Sequence, residues 1–237
     1  MLKLNILVPR RDGVTRAEFR HHLVNVHGPL ILGEPTVVRD FRRYQYNFVV
    51  DGAADDAFGH PVAAEFDGIT QICFDSRAAL LRNLAEPRYR DVIRPDEARF
   101  AGAGAQVQPS HEVAISQGDA TQNTVFYLRR RRDGLTRAEF QSFWRAGFTE
   151  IVCESAEWRA IVSRSVQNHA LSEEAHPNGT DSRYFDLIDE ICLRPGCAIG
   201  QLRESATLIG QLRQLEQALL DRARTRVVVT QRVIMIP

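Results

Sequence analysis

His27, Tyr44, Tyr46 and Asn47 are the residues of this chain whose types could, together, move a proton and hold an oxygen. An imidazole exchanges protons near neutral pH and serves as general acid or base. Phenol hydroxyls and an amide beside it can hold a carbonyl or enolate and stabilise its developing negative charge. Each also has a plainer role. A histidine in the last turn of a helix caps its negative end, tyrosines fill a strand face while keeping one wet tip, and an asparagine can pair exposed backbone at a sheet edge. His22 flanks the apolar stripe of the same helix whereas His21 points away, so His22 is the second histidine with access to a pocket. A metal held by His22 and His27 is disfavoured, because residues five apart do not stack on one face of an α-helix as residues four apart do.

A repeat sets His27 apart. Arg10 to Phe19 (RRDGVTRAEF) and Arg131 to Phe140 (RRDGLTRAEF) match at nine of ten positions, 121 residues apart. Eight residues after the shared phenylalanine the first copy has His27 and the second Phe148, which suggests one working site and one degenerate one. Asn47 and Asn168 share the offset of 121, and Phe66 to Cys73 pairs with Phe185 to Cys192 at 119, so the duplicated unit is a whole half. Asp67 and Asp186 recur within that match, and they read as surface carboxylates pairing with an arginine such as Arg43.

The elements that must carry these residues follow from periodicity. Leu4, Ile6 and Val8 alternate as in a half-buried strand, and Asp12-Gly13 supplies a turn. Thr15 with Glu18, and Thr136 with Glu139, have capping-box spacing at a helix start. Phe19, Leu23 and Val26 form that helix's apolar stripe, and Gly28-Pro29 is expected to stop it. A second strand, Arg43 to Val50, puts Tyr44, Tyr46 and Phe48 on one face and Gln45, Asn47 and Val49 on the other. A polar loop (51–61), a strand near Glu65 to Phe74, a helix capped by Ser76 and a strand near His111 to Ser116 complete the half. The second half repeats the order, with strands near 124–129, 161–167, 184–192 and 226–236 and a long second helix over 199–225. The class is α+β: two ferredoxin-like β-α-β-β-α-β halves, 1–117 and 124–237, joined by the linker 118–123. An open sheet leaves a face and edges to cover, so the halves are expected to pack as a pseudo-dimeric α/β barrel.

Composition excludes several classes. Thirty basic residues balance thirty acidic ones, leaving no global field for nucleic acid or an anionic membrane. The run Arg129 to Arg132 reads as a solvated strand end. No segment reaches the roughly 18 apolar residues of a membrane span, so a cytoplasmic setting is the default. Cys73, Cys153, Cys192 and Cys197 form no CxxC pair and read as free buried thiols. There is no GxGxxG after a strand, P-loop, HExxH or GxSxG, so no cofactor or metal is expected. The third strand also lacks the glycine-rich aromatic pattern of RNA-binding modules on this fold. His60-Pro61 and His176-Pro177 read as turns, and Arg88 and Tyr89, after the Glu86-Pro87 break, are candidates to lid a pocket.

The helix opening GVTRAEF, His27-Gly28-Pro29-Leu30, Tyr44-Gln45-Tyr46-Asn47, Phe66-Asp67 and Pro95-Asp96-Glu97 together resemble the EthD family, a branch of the dimeric α/β-barrel superfamily. The resemblance covers most of residues 1–117 and, more weakly, 120–237. Its His-Gly-Pro motif maps onto His27, Gly28 and Pro29, while the second half departs at Phe148, Thr149 and Glu150. Related barrels include cofactor-free monooxygenases, polyketide cyclases, muconolactone isomerases and dehydratases of pigment pathways. The resemblance thus implies a cofactor-independent oxygenase, cyclase, isomerase or dehydratase acting on a small apolar carbonyl or aromatic, polyketide-like compound. His27 would be catalytic, and Tyr44, Tyr46, Asn47 and His22 would bind substrate. The rival is a non-catalytic ligand-binding or accessory protein. Both readings involve neither nucleic acid nor membrane, and leave the outer barrel faces available for further homo-oligomerisation.

Overall fold

A computed structural model describes residues 1–50, 56–171 and 185–237. Part of the 51–61 loop, the His176-Pro177 turn and Tyr184 lie outside the described residues. Two compact units divide the chain, one of residues 1–49, 64–110 and 233–237, the other of 50–63 and 111–232.

In the first unit β1 (Leu2–Val8) and β2 (Phe41–Val49) flank β3 (Gly68–Phe74), all antiparallel. Pairing Ile6 with Thr70 with Tyr46, and Leu4 with Ile72 with Tyr44, puts these side chains on one face. Asn5, Gln45, Asn47 and Gln71 fall on the other. The helix α1 (Arg16–His22) starts at the expected capping box, with the Thr15 hydroxyl accepting from the Glu18 amide at 3.2 Å.

Gly28-Pro29 does not stop that helix. It widens into one π-helical turn, Leu23–His27, and continues as α2 (Gly28–Leu32). Pro29 has no N–H, and its ring would press on the carbonyl four residues back; the Gly28 N–H reaching back five residues to the Leu23 carbonyl makes room for it. The same device recurs. After α3 (Pro35–Val38) and α4 (Arg77–Ala85), the π turn Tyr89–Ile93 precedes α5 (Arg94–Phe100), which holds Pro95 in its first turn.

In the second unit β7 (Leu187–Leu193) lies between β5 (Asn123–Arg129) and β6 (Val162–Ala170). The helix α6 (Arg137–Glu154) contains no proline and runs unbroken, followed by α7 (Ala156–Ile161). The long helix expected over 199–225 is instead a 3₁₀ segment, Ile199–Glu204, and α8 (Ala206–Leu219). Ser205 separates them because its hydroxyl is better used as a cap, accepting from the Leu208 amide. β4 (Gln106–Ser116) and β8 (Arg226–Ile236) each contribute residues to both units. The strand order is β1-β3-β2-β8-β5-β7-β6-β4, closing as a barrel.

Three surface readings need correction. Asp67 is held by the Arg10 amide (2.9 Å), the Arg10 guanidinium and Arg16 Nε (2.9 Å), whereas Arg43 lies across from Cys73 at the far end of β3. Asp186 is held in the same way by Arg131 and Arg137. The best-matched stretch of the two halves is therefore a clamp on a strand-entering carboxylate. Arg129, read as solvated, is 1% exposed. Among the thiols only Cys73 and Cys192 are buried, with Cys153 exposed and Cys197 half-buried.

Candidate active site

Helices of the first unit stand off the tyrosine-bearing face of its sheet and leave a cavity of about 210 Å³. Ile6, Thr70 and Ile72 on its floor are only partly buried although they sit mid-sheet. Its wall is mostly apolar. Leu84 and Val107 line it while being 38% and 41% exposed, which marks an apolar mouth. The polar side chains reaching it are His27, Tyr44, Tyr46, Thr70, Asn83, Tyr89 and Glu97.

His27 is 5% exposed and is placed by the first π turn. Its Nδ1 lies 2.9 Å from Asp96 Oδ2, and His22 Nε2 lies 2.9 Å from the same oxygen. The i→i+5 closure of the π turn brings residues five apart nearer one side than an α-helix would, so His22 and His27 reach the same oxygen after all. Asp96 follows Pro95, just beyond the second π turn; the two widened turns thus bring a histidine and a carboxylate 69 residues apart into contact. Phe100 packs its ring against both imidazoles, at centroid distances of 4.7 Å to His27 and 5.4 Å to His22.

Burial lowers the pKa of His27 below the ordinary 6.5, opposed but not overcome by the Asp96 hydrogen bond and charge. The ring is therefore neutral at neutral pH. Burial pulls Asp96 upward, but the hydrogen bonds from His22 and His27 hold it below the usual carboxylate range. With an ionised carboxylate on Nδ1, that nitrogen carries the hydrogen and Nε2 keeps its lone pair. His27 lines the cavity as a neutral imidazole.

The Tyr44 and Tyr46 hydroxyls are hydrogen-bonded to one another, at i and i+2 on one strand face. Burial, then the neighbouring phenol, pushes Tyr44 well above the ordinary tyrosine value, and burial raises Tyr46 likewise. Both stay neutral donors. One hydrogen closes the pair and the other is left for a ligand oxygen. Glu97, also in the cavity lining, accepts a hydrogen bond from Tyr89 at 3.2 Å, and burial raises its carboxyl above the usual range. The Arg88 side chain points instead to an exposed pairing with Glu34.

The structure brings His27, Tyr44 and Tyr46 together at the cavity. It separates Asn47, which donates to the Ile69 carbonyl (3.0 Å) and Gln71 (3.2 Å) on the opposite sheet face. Strand alternation forbids residues 46 and 47 from facing one ligand. His22 contacts Asp96 and not the cavity. Asp96 and Glu97 have no role in the sequence reading, where Pro95-Asp96-Glu97 enters only as one of the segments that resemble the EthD family. Among the described residues no group of three or more His, Cys, Asp or Glu side chains is placed to hold a metal, and no helix is long and apolar enough to cross a membrane.

A ferredoxin-like α/β barrel with a histidine–carboxylate pair over an apolar cavity defines the class of protein. Residues 11–104, which supply most of the cavity lining, match the EthD domain family. Two relatives align over 43% of this chain: the dehydratase ustZ of Ustilaginoidea virens, 29% identical over 107 residues and 75% of its length, and the conidial pigment biosynthesis dehydratase EthD of Metarhizium robertsii, 24% identical over 110 residues and 74% of its length. Among solved structures an anthrone oxidase-like protein superposes with a TM-score of 0.66 at 10% identity, covering 99% of this chain and 93% of that one. That likeness speaks for the fold alone.

Proposed function

We propose that the first unit is a cofactor-independent proton-transfer site for a small apolar carbonyl compound of aromatic or polyketide type, and that its reaction is a dehydration. The His27–Asp96 pair facing an apolar cavity carries this reading. His27 Nε2 takes the proton from the carbon α to a carbonyl while Asp96 keeps the hydrogen on Nδ1 and stabilises the imidazolium. The Tyr44–Tyr46 pair donates to the carbonyl oxygen and stabilises the enolate that forms. Dehydration is chosen over oxygenation, cyclisation and isomerisation because both curated relatives are named as dehydratases.

His22 enters as the second donor to Asp96, not as a substrate ligand. The matched clamps on Asp67 and Asp186 support a duplicated origin for the two halves, with Phe148 marking the copy without a base. The test is solvent deuterium uptake at the α-carbon of 1-tetralone, a simple aryl ketone, measured by mass spectrometry. Wild-type protein is expected to catalyse uptake and His27→Gln to abolish it. Equal uptake with and without the imidazole would overturn the assignment and leave a ligand-binding role.

A further inference from the structure

The same cavity holds a second titratable group that the proton abstraction does not use. Glu97 follows Asp96 directly in the first turn of α5, so the two carboxylates point in different directions, Asp96 to the histidines and Glu97 to the cavity. Among the described residues Glu97 has no ion-pair partner. Its contact is the Tyr89 phenol at 3.2 Å, supplied by the π turn.

Its counterpart in the second unit shows that this is a choice of surroundings. Arg10 bridges to Ala101 and Arg131 to Leu220, and Glu97 and Glu216 each lie four residues before their bridge. Glu216 is ringed by Arg129 Nη1, Arg222 Nη1 and His60 Nε2, each at 2.8 Å, which hold it as a carboxylate. Glu97 is hydrogen-bonded by a phenol instead, and the charge of nearby Arg94 only partly offsets its burial. A carboxyl in apolar surroundings beside a neutral donor is the setting in which an acid keeps its proton.

We propose that Glu97 is a further catalytic residue, the general acid that protonates a hydroxyl as it leaves the carbon β to the carbonyl, with Tyr89 positioning its carboxyl. The proposal rests on the dehydratase reading above. The enolate formed by His27 expels the β-hydroxyl; the C–O bond breaks, the Glu97 proton goes to that oxygen and water departs. The electron pair of the former C–H bond becomes the new C=C bond. No oxidant or reductant is consumed. The cycle closes when imidazolium returns one proton to solvent and Glu97 regains one.

The test uses 3-hydroxy-1-tetralone, whose loss of water gives 1-naphthol, and its 3-fluoro analogue, whose leaving group needs little protonation. In Glu97→Gln, naphthol formation from the hydroxy compound is expected to fall by roughly 10²–10⁴-fold. Deuterium uptake at the α-carbon is expected to stay at the wild-type level, which also reports a folded site, and naphthol formation from the fluoro compound to stay close to it. A Glu97→Gln protein that dehydrates the hydroxy compound as fast as wild type, or is equally impaired on the fluoro compound, overturns the role of Glu97 while His27 chemistry stands. A wild-type protein that neither exchanges nor dehydrates these ketones overturns the dehydratase reading and this proposal with it.

Discussion

Glu97 and Glu216 occupy the same place before the same bridge, yet one is raised above the usual carboxylate range and the other held below it. Burial pulls both upward, so the difference lies in what fills the space around them. In the first unit that space is open. In the second, counting by the repeat offsets, Ile6 is replaced by Tyr127, Val8 by Arg129, Leu23 by Trp144, His27 by Phe148 and Thr70 by Asp189. Arg129 then lies over the Tyr127 and Trp144 rings, at 4.6 and 4.3 Å, and pairs with Asp189 (2.7 Å) and Glu216. Trp144 stacks on Phe148 at 5.6 Å. Phe58 and His60, from the 56–63 segment, complete the packing. Larger side chains and a buried cation fill in the second unit the space that is a cavity in the first, and Glu216 is ion-paired where Glu97 is held by a phenol.

The contrast can be broken most severely at Arg129. Removing one member of a buried ion network strands the others, so Arg129→Met is expected to cost about 3–5 kcal/mol, read as a lowered urea midpoint at unchanged slope. A smaller loss would mean that the tryptophan and phenylalanine packing, not the charges, holds the second unit. Installing the second unit's residue in the first, His27→Phe, is expected to reduce α-carbon exchange by roughly 10²–10⁴-fold without lowering the melting temperature. Next comes Gly28→Ala, a test of the widened turn. A Cβ there would meet the Leu23 carbonyl at 2.9 Å and Met235 Cε at 2.5 Å, so about 1–3 kcal/mol is expected from thermal melts.

Two pH measurements sharpen the picture. Because burial depresses His27, the base remains unprotonated as pH falls through 6.5, and the exchange rate is expected to decline only below that value. Asp96→Asn removes the influence that opposes burial, so its decline is expected at still lower pH, on a reduced plateau. In the second unit burial lowers His169 to about 4. The unfolded chain binds this proton first, so stability is lost as pH falls from 6.5 towards 4; His169→Gln is expected to flatten that slope in urea titrations.

Much of the cavity face was readable. The alternation of Tyr44 and Tyr46 fixes their common side, and the difference between His27 and Phe148 within a matched repeat singles out the imidazole. Asp96 was not readable, because its meaning comes from contact with residues far earlier in the chain and nothing in its neighbourhood demands it. The Gly28-Pro29 pair pointed the wrong way, since the local rule for ending helices knows nothing of a turn that widens to admit proline. Arg129 misled for a related reason. Its countercharges are supplied by β7 and α8, and without them a basic run reads as a wet surface.

The widened turn gives Pro29 a leverage that its position would not suggest. An ordinary helix would splay residues 22 and 27 to different sides, and one acid could not then serve both. The ring at position 29, which touches no reacting atom, therefore decides how many nitrogens gather on a single oxygen; Pro29→Ala would let the coil tighten and divorce the two.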